Sequence, residues 1–339
     1  MKNLPVYSGL DYHQGSIQVC VLDADGRSLT NRRCRSDLHE VVELLRQWGE
    51  VGSVAIESCC GATEFADQLR HTTGWKVQLA HPGYVNRMKQ NPDKSDHSDA
   101  RLLADLSRVG YIPQVWLPPR PIRELRTLVR RRQVAVDRRK ATKLRILSLL
   151  RARRIKRPED VRRPWTKSWM IWIRHVELTE NDRWILDDDL TELEHATRQI
   201  ERTEARLRTV TIGDEMVEHL LTIAGIGEVT AWTIRAEVVT VRRFRKSKQL
   251  ARFCGISPRN ASSGDRVADS GLIRAGNPQL KTILIQAAHR LIQHTRRWSS
   301  FAARLAAAGK PKSVIVAAVA NRWVRWLFHR MKEFEMANA

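Results

Sequence analysis

The chain has 339 residues, 59 of them Lys or Arg against 37 Asp or Glu, giving a formal net charge of +22. That length suits two or three domains, and that charge points to a polyanionic partner, of which nucleic acid is the commonest. No run of eighteen apolar residues and no signal-peptide pattern is present, so a cytoplasmic protein without membrane contact is expected, and Cys20, Cys34, Cys59, Cys60 and Cys254 lack the spacing of a zinc site or a disulfide framework.

Residues 6–31 read as a β-hairpin: Val6, Ser8 and Leu10 lead to Asp11, and Ser16 to Leu22 runs into an Asp23-Ala24-Asp25-Gly26 turn. Asp11 falls where the first strand ends, a position that often exposes a functional side chain. A helix over 37–48 follows, then a short buried strand from Val51 to Ile56 that delivers Glu57. Next come a helix near 62–72 and a strand from Lys76 to Ala80. Strands alternating with helices after an opening hairpin indicate an α/β domain.

The stretch from Asn91 to Ala104 begins as a loop, and Ser95 is placed to cap the helix behind it. Asp96 and Asp99 are three apart, so both carboxylates project from one helix face. The helix dipole alone favours aspartates in a first turn. Three separate segments nevertheless end in acids: Asp11, Glu57 and the Asp96/Asp99 pair. Converging at one sheet edge, they would suit two divalent ions about 3.5–4 Å apart on a phosphodiester.

From Arg120 to Arg157 there are sixteen Lys or Arg against Glu124 and Asp137, with apolar residues at helical spacing. This predicts one long basic helix whose Arg130, Arg131, Arg132, Arg138, Arg139, Lys140 and Lys143 contact phosphates. Residues 158–181 read as a connector with a short helix whose Trp165, Trp169 and Trp172 pack inside, with base stacking as the alternative. Leu186, Leu190, Leu193, Thr197, Ile200, Glu204 and Leu207 then form a three-heptad seam. Its partner could be the basic helix or another subunit.

Leu220 to Ala231 has the pattern of a helix-hairpin-helix, in which Gly225 and Gly227 permit a tight turn and free backbone N–H groups for a phosphate; an ordinary helical turn is the alternative. Asn260 to Asp265 is a polar loop containing Ser263. A serine there is usually a turn residue, and a nucleophilic one needs a base or metal and nearby cations. Two apolar helices are expected near 279–295 and 311–333. HExxH and P-loop spacings are absent.

Together these segments resemble the insertion-sequence transposases of the IS-one-ten group, the DEDD transposases related to the Piv DNA invertases. The D…E…DxxDA pattern is carried by Gly9-Leu10-Asp11, Ala55-Ile56-Glu57 and Asp96-His97-Ser98-Asp99-Ala100. The C-terminal part carries Gly225 to Ala231, then Phe244, Leu250, Gly255 and Pro258, the Ser262-Ser263-Gly264 loop and the Gly276-Asn277 step. The resemblance implies a RuvC-like, ribonuclease H-type α/β domain over 1–118, a basic helix and coiled-coil region over 119–211, and a mostly α transposase domain over 212–339. It implies Mg²⁺ (or Mn²⁺) held by Asp11, Glu57, Asp96 and Asp99, and Ser263 as nucleophile. It also implies donor and target DNA and a structured non-coding bridge RNA as partners.

Three readings follow. In the first, a recombinase links Ser263 to a DNA phosphate, in a dimer or tetramer that brings serine and acids together. In the second, a RuvC-like junction resolvase uses the same acids to activate water. The third is a non-catalytic nucleic-acid binder.

Overall fold

The first two strands carry unbroken buried runs, Ser8 to Leu10 and Val19 to Leu22, because both faces of the sheet they enter are covered. The computed structural model describes residues 5–89, 95–260 and 269–338. The chain divides into two compact units, 1–118 and 119–339.

In the first unit, strands β1 (Val6–Tyr12), β2 (Ser16–Leu22), β3 (Ser28–Arg35), β4 (Val51–Glu57) and β5 (Val77–Ala80) form one sheet in the order β3-β2-β1-β4-β5. β1, β2 and β3 pair antiparallel, while β4 lies parallel to β1 and β5 parallel to β4. This is the ribonuclease H-type order, on an α/β domain. Leu10, Ile17, Val19, Val54 and Ile56 pack on one face against α1 (Leu38–Arg46) and α2 (Ala62–Thr73), through Val41, Leu45, Phe65 and Leu69. After α3 (Pro82–Met88), helix α4 (Asp96–Arg108) covers the opposite face, where Cys20 and Leu22 meet Ala100 and Ala104, and Ala55 meets Leu103. Ser53 and Ser107 join their hydroxyls at 2.6 Å beneath it.

The opening hairpin gains a third strand. β3 carries Arg32, Arg33 and Arg35 and is half-buried to exposed throughout, so it lacks the apolar alternation that marks a strand in sequence. Such charge suits an edge strand, where it discourages pairing with another chain.

The second unit begins with α5 (Arg120–Ala152), followed by α6 (Lys167–Arg174) and α7 (Glu180–Val210). α5 and α7 pack antiparallel: Arg132 pairs with Glu204 at 2.7 Å, Arg145 with Asp189 at 2.7 Å, and Arg153 with Asp182 at 2.5 Å. The hydrogen bonds from Arg153 hold the Asp182 carboxyl below its ordinary value. Ile146 and Leu150 of α5 meet Leu186, Leu190 and Leu193 of α7, with Trp169 and Ile173 of α6 closing the cluster. The basic helix is therefore the partner of the heptad seam within this chain, and Trp169, 1 % exposed, is core.

The rest of this unit is α8 (Glu215–Leu221), α9 (Glu228–Val238), α10 (Ser247–Phe253), the paired strands β6 (Pro258–Asn260) and β7 (Asp269–Leu272), α11 (Pro278–His294), α12 (Arg296–Ala307) and α13 (Lys312–Ala337). Their core centres on the fully buried Trp323 and includes Leu125 and Val129 of α5. Two C-terminal helices were expected and three are present. Thr295 is extended (φ −130°), ends α11 and starts α12, whose Trp298, Phe301, Ala302 and Leu305 recur at helical spacing. Among the described residues no helix is long and apolar enough to cross a membrane.

Candidate metal centre and nucleic-acid surface

Parallel pairing of Leu10 with Ile56 makes Asp11 and Glu57 the next residues on adjacent strands, whose backbones run about 4.8 Å apart. Strand alternation puts both on the α4 face, beyond Gly9 and Ala55, at the carboxyl ends of the strands, where open α/β sheets bind ligands. α4 reaches this edge because Gly9 has no side chain: a Cβ there would stand 2.1 Å from the Ala100 carbonyl oxygen and 2.3 Å from the Ala104 nitrogen.

The start of α4 is fixed from two sides. Ser95 Oγ accepts from the Ser98 N–H at 3.1 Å, and Asn31 of β3 donates to the His97 carbonyl at 2.9 Å. Asp96 thus opens the helix and Asp99 lies one turn on, buried.

His13 stands between strand and helix, its Nε2 3.3 Å from Asp11 Oδ2 and 3.6 Å from Asp96 Oδ1. Donor atoms of Asp11, His13 and Asp96 all lie within 4.8 Å of one another. Arg33 Nη2 is 3.7 Å from the other Asp96 oxygen. Lys89 Nζ lies 2.7 Å from one oxygen of Asp99 and 2.8 Å from the other. Burial pushes the Asp11 carboxyl above its ordinary value; His13 pulls it down, and Asp96 and Asp99 push it up again. The Cys59 thiol, raised chiefly by burial, is raised further by both Glu57 and Asp11.

Clustered carboxylates that disfavour one another's charge, joined by an imidazole, are a donor set suited to a divalent cation. Cations already sit on Asp96 and Asp99, from Arg33 and Lys89. Sequence reasoning missed His13 and Lys89. His13 follows Asp11 by two residues at the strand exit, where a lone histidine reads as a turn residue. Lys89 ends a short helix with no pattern to mark it.

Lys89→Met is expected to leave the buried Asp99 charge uncompensated, at a cost of about 1–3 kcal/mol in chelator, with much of the loss recovered on adding Mg²⁺. Thermal melts in EDTA and in Mg²⁺ check this. A variant that melts like the wild type in EDTA would remove Lys89 from the account.

Ser263 lies outside the described residues, in the segment joining β6 to β7. On α5, Arg131, Arg138 and Lys140 are exposed, with no carboxylate partner among the described residues. Arg130 pairs with the buried Glu237 at 3.3 Å, and Arg132 is 17 % exposed in its pair with Glu204. Lys143 lies over the Trp165 ring at 4.8 Å. Gly225 takes φ +89° in the turn between α8 and α9, and Gly227 precedes the first turn of α9. Both line a groove of about 410 Å³ with Arg132, Gln133, Arg139 and Arg290.

Two family models match the chain in sequence order. A transposase model of the DEDD type matches residues 8–153, and the model described as "Transposase IS116/IS110/IS902 family" matches residues 217–303. The transposase for insertion sequence element IS1111A of Coxiella burnetii is 27 % identical over 298 residues, 87 % of this chain and 80 % of that one. A probable family 20 transposase of Pseudomonas aeruginosa is 25 % identical over 336 residues, covering 94 % and 95 %. A solved structure, T. thermophilus RuvC in complex with a Holliday junction substrate, matches 33 % of this chain and 99 % of its own at 15 % identity and a TM-score of 0.27. With its acid-bearing α/β half and its helical half each matched in order, the chain belongs to the IS116/IS110/IS902 family of transposases, enzymes that cleave and transfer DNA.

Proposed function

We propose that this protein is the recombinase of an insertion sequence, acting in the cytoplasm on donor and target DNA chosen by a structured bridge RNA. Asp11, Glu57, Asp96 and Asp99 hold Mg²⁺ in this reading, and Ser263 is the nucleophile. The observation that carries it is the meeting of Asp11, Glu57 and the first turn of α4 on one sheet edge, with Asp11 and Asp96 both within reach of His13. Oxygen donors of this kind suit Mg²⁺, and the nearby imidazole makes Mn²⁺ an acceptable replacement. Bound there, the ion neutralises charge developing on the scissile phosphate.

Ser263 Oγ attacks the DNA phosphorus, its proton passes to a neighbouring base, and the bond from phosphorus to the departing deoxyribose oxygen breaks. A phosphoserine link conserves the phosphodiester energy. The hydroxyl of the incoming strand then attacks that phosphorus, and the serine oxygen leaves with a proton. Three sequence regions divide the labour: the acids in 1–118, phosphate contact by α5 in 119–211, and the serine in 212–339. Arg131, Arg138 and Lys140 track the DNA or RNA backbone, and the freed N–H groups at Gly225 and Gly227 hold a phosphate. Serine and acids meet across subunits of a dimer or tetramer.

The test is a suicide substrate that traps the covalent step. Wild-type protein should give a protein–DNA adduct that survives denaturation, and Ser263→Ala should give none. Free 5′-phosphate ends without an adduct, together with a fully active Ser263→Ala, would transfer the acids to a water-activating junction resolvase.

A further inference from the structure

The C-terminal part of the chain holds a second concentration of positive charge, apart from α5. Residues 270–332 contain twelve Lys or Arg (274, 281, 290, 296, 297, 304, 310, 312, 322, 325, 330 and 332) and no Asp or Glu. Four of these arginines, 297, 304, 322 and 325, line one cleft of about 600 Å³ between α12 and α13, together with Trp298, Phe301, Trp326 and His329. Arg297, Arg304 and Arg322 are exposed, and none of the four has a carboxylate partner among the described residues. Elsewhere in this unit, Arg132, Arg145, Arg153, Arg208 and Arg235 are all in ion pairs.

Aromatic rings hold three of the four cleft guanidiniums, those of Arg297, Arg304 and Arg322. Arg322 lies 4.3 Å and Arg304 5.7 Å from the Phe301 ring centre, and Arg297 lies 5.0 Å from Trp298 and 5.7 Å from Trp326. Two cations sharing one ring stand within about 10 Å of each other, close to the screening length of physiological salt. Their repulsion is therefore only partly screened, and a polyanion would relieve it. Phe301 and Trp326 are half-buried, so ring surface remains open beside the charges. A duplex keeps its base faces inside its own stack and could use only the guanidiniums. An unpaired strand offers phosphates and base faces together, which matches what this cleft contains.

We propose that the α12–α13 cleft holds an unpaired nucleic-acid strand, its phosphates on Arg297, Arg304, Arg322 and Arg325 and its bases against Trp326 and Phe301. The site is independent of the acidic cluster and needs no metal.

The experiment is fluorescence anisotropy on the full chain in EDTA, with oligothymidylate and oligouridylate of roughly 16 nucleotides and a duplex of equal length. Arg297→Gln/Arg322→Gln should weaken binding of the single strands about tenfold and lower the salt slope by about 1.4, at roughly 0.7 per phosphate contact. Trp326→Leu, which keeps an apolar side chain and removes the stacking ring, should cost the single strands about fivefold or more and the duplex little. Preference for the uridylate or the thymidylate assigns the strand as RNA or DNA. Photo-crosslinking of a halogenated strand to the wild type, with peptide mapping, should place adducts within 297–326 whether or not the variants fold well. Unchanged affinity in the variants, equal losses for duplex and single strand, adducts only elsewhere, or equal displacement by polyglutamate would each overturn the assignment. Asp11→Asn should bind the strands like the wild type, so failure of the acid cluster and failure of this cleft give different results.

Discussion

Asp11→Asn is expected to lower DNA strand cleavage by roughly a thousandfold or more while making the metal-free protein more stable. The loss of activity follows from position: Asp11 ends the central strand, beside Glu57 on the next strand and within reach of His13 and Asp96. An amide keeps the shape and cannot supply the charge. The gain in stability follows from the raised Asp11 carboxyl, which burial and the nearby Asp96 and Asp99 push above the usual 3.8. A carboxyl whose folded value exceeds its unfolded one binds its proton more tightly when folded. Stability is then fully present below the unfolded value and falls as pH rises through the folded one. At pH 7 the ionised Asp11 therefore subtracts from stability, and the amide does not. Mg²⁺ should reverse the order, since a ligand at a hundred times its dissociation constant adds about 2.7 kcal/mol to the form that binds it. Cleavage assays and melts in EDTA and Mg²⁺ check both parts. Cleavage within tenfold of wild type, or equal stabilisation of both proteins by Mg²⁺, would remove Asp11 from the centre.

The four acids are legible in the sequence because each sits near the end of an element, Asp11 and Glu57 at strand ends and Asp96 and Asp99 in the first turn of a helix. Their meeting is not legible, because it depends on the parallel register of Leu10 with Ile56, which joins segments 46 residues apart. The N-terminal cap is legible at Ser95 because a capping hydroxyl acts within its own turn. His13 escapes notice because its partners come from two distant elements. The partner of the heptad seam was open for a similar reason. Its polar position, Glu204, looks like a weakness until Arg132 of α5 is found 2.7 Å away. Edge strand β3 was missed because its exposed charge leaves no apolar alternation, and helix α12 because only one residue separates it from α11, although Trp298, Phe301, Ala302 and Leu305 recur at helical spacing. Ser263 carried no local signal beyond a polar loop; its proposed role comes from the family pattern.

Gly9→Ala should be the most damaging single-methyl change in the first unit. A Cβ at residue 9 would meet the Ala100 carbonyl oxygen at 2.1 Å, the Ala104 nitrogen at 2.3 Å and the Leu103 Cβ at 2.8 Å. Two of these are backbone atoms of α4, so no rotamer change can clear the space and the helix itself must move. Overpacking a core costs about 1–3 kcal/mol when side chains can yield, and a rigid helix places this case at or above the top of that range. The effect on activity should be larger than the effect on stability. Lifting α4 from β1 carries Asp96 and Asp99 away from Asp11 and Glu57, and a displacement of about 1 Å in such a site costs on the order of a hundredfold in rate. Gly15→Ala is the matched control, because a Cβ there meets nothing within 4 Å. Hydrogen exchange should speed up in α4 of Gly9→Ala and stay unchanged in α7, which lies in the other unit. If Gly9→Ala and Gly15→Ala melt alike and cut DNA alike, the tight seating of α4 on β1 does not position the acids, and the site must be assembled by other means.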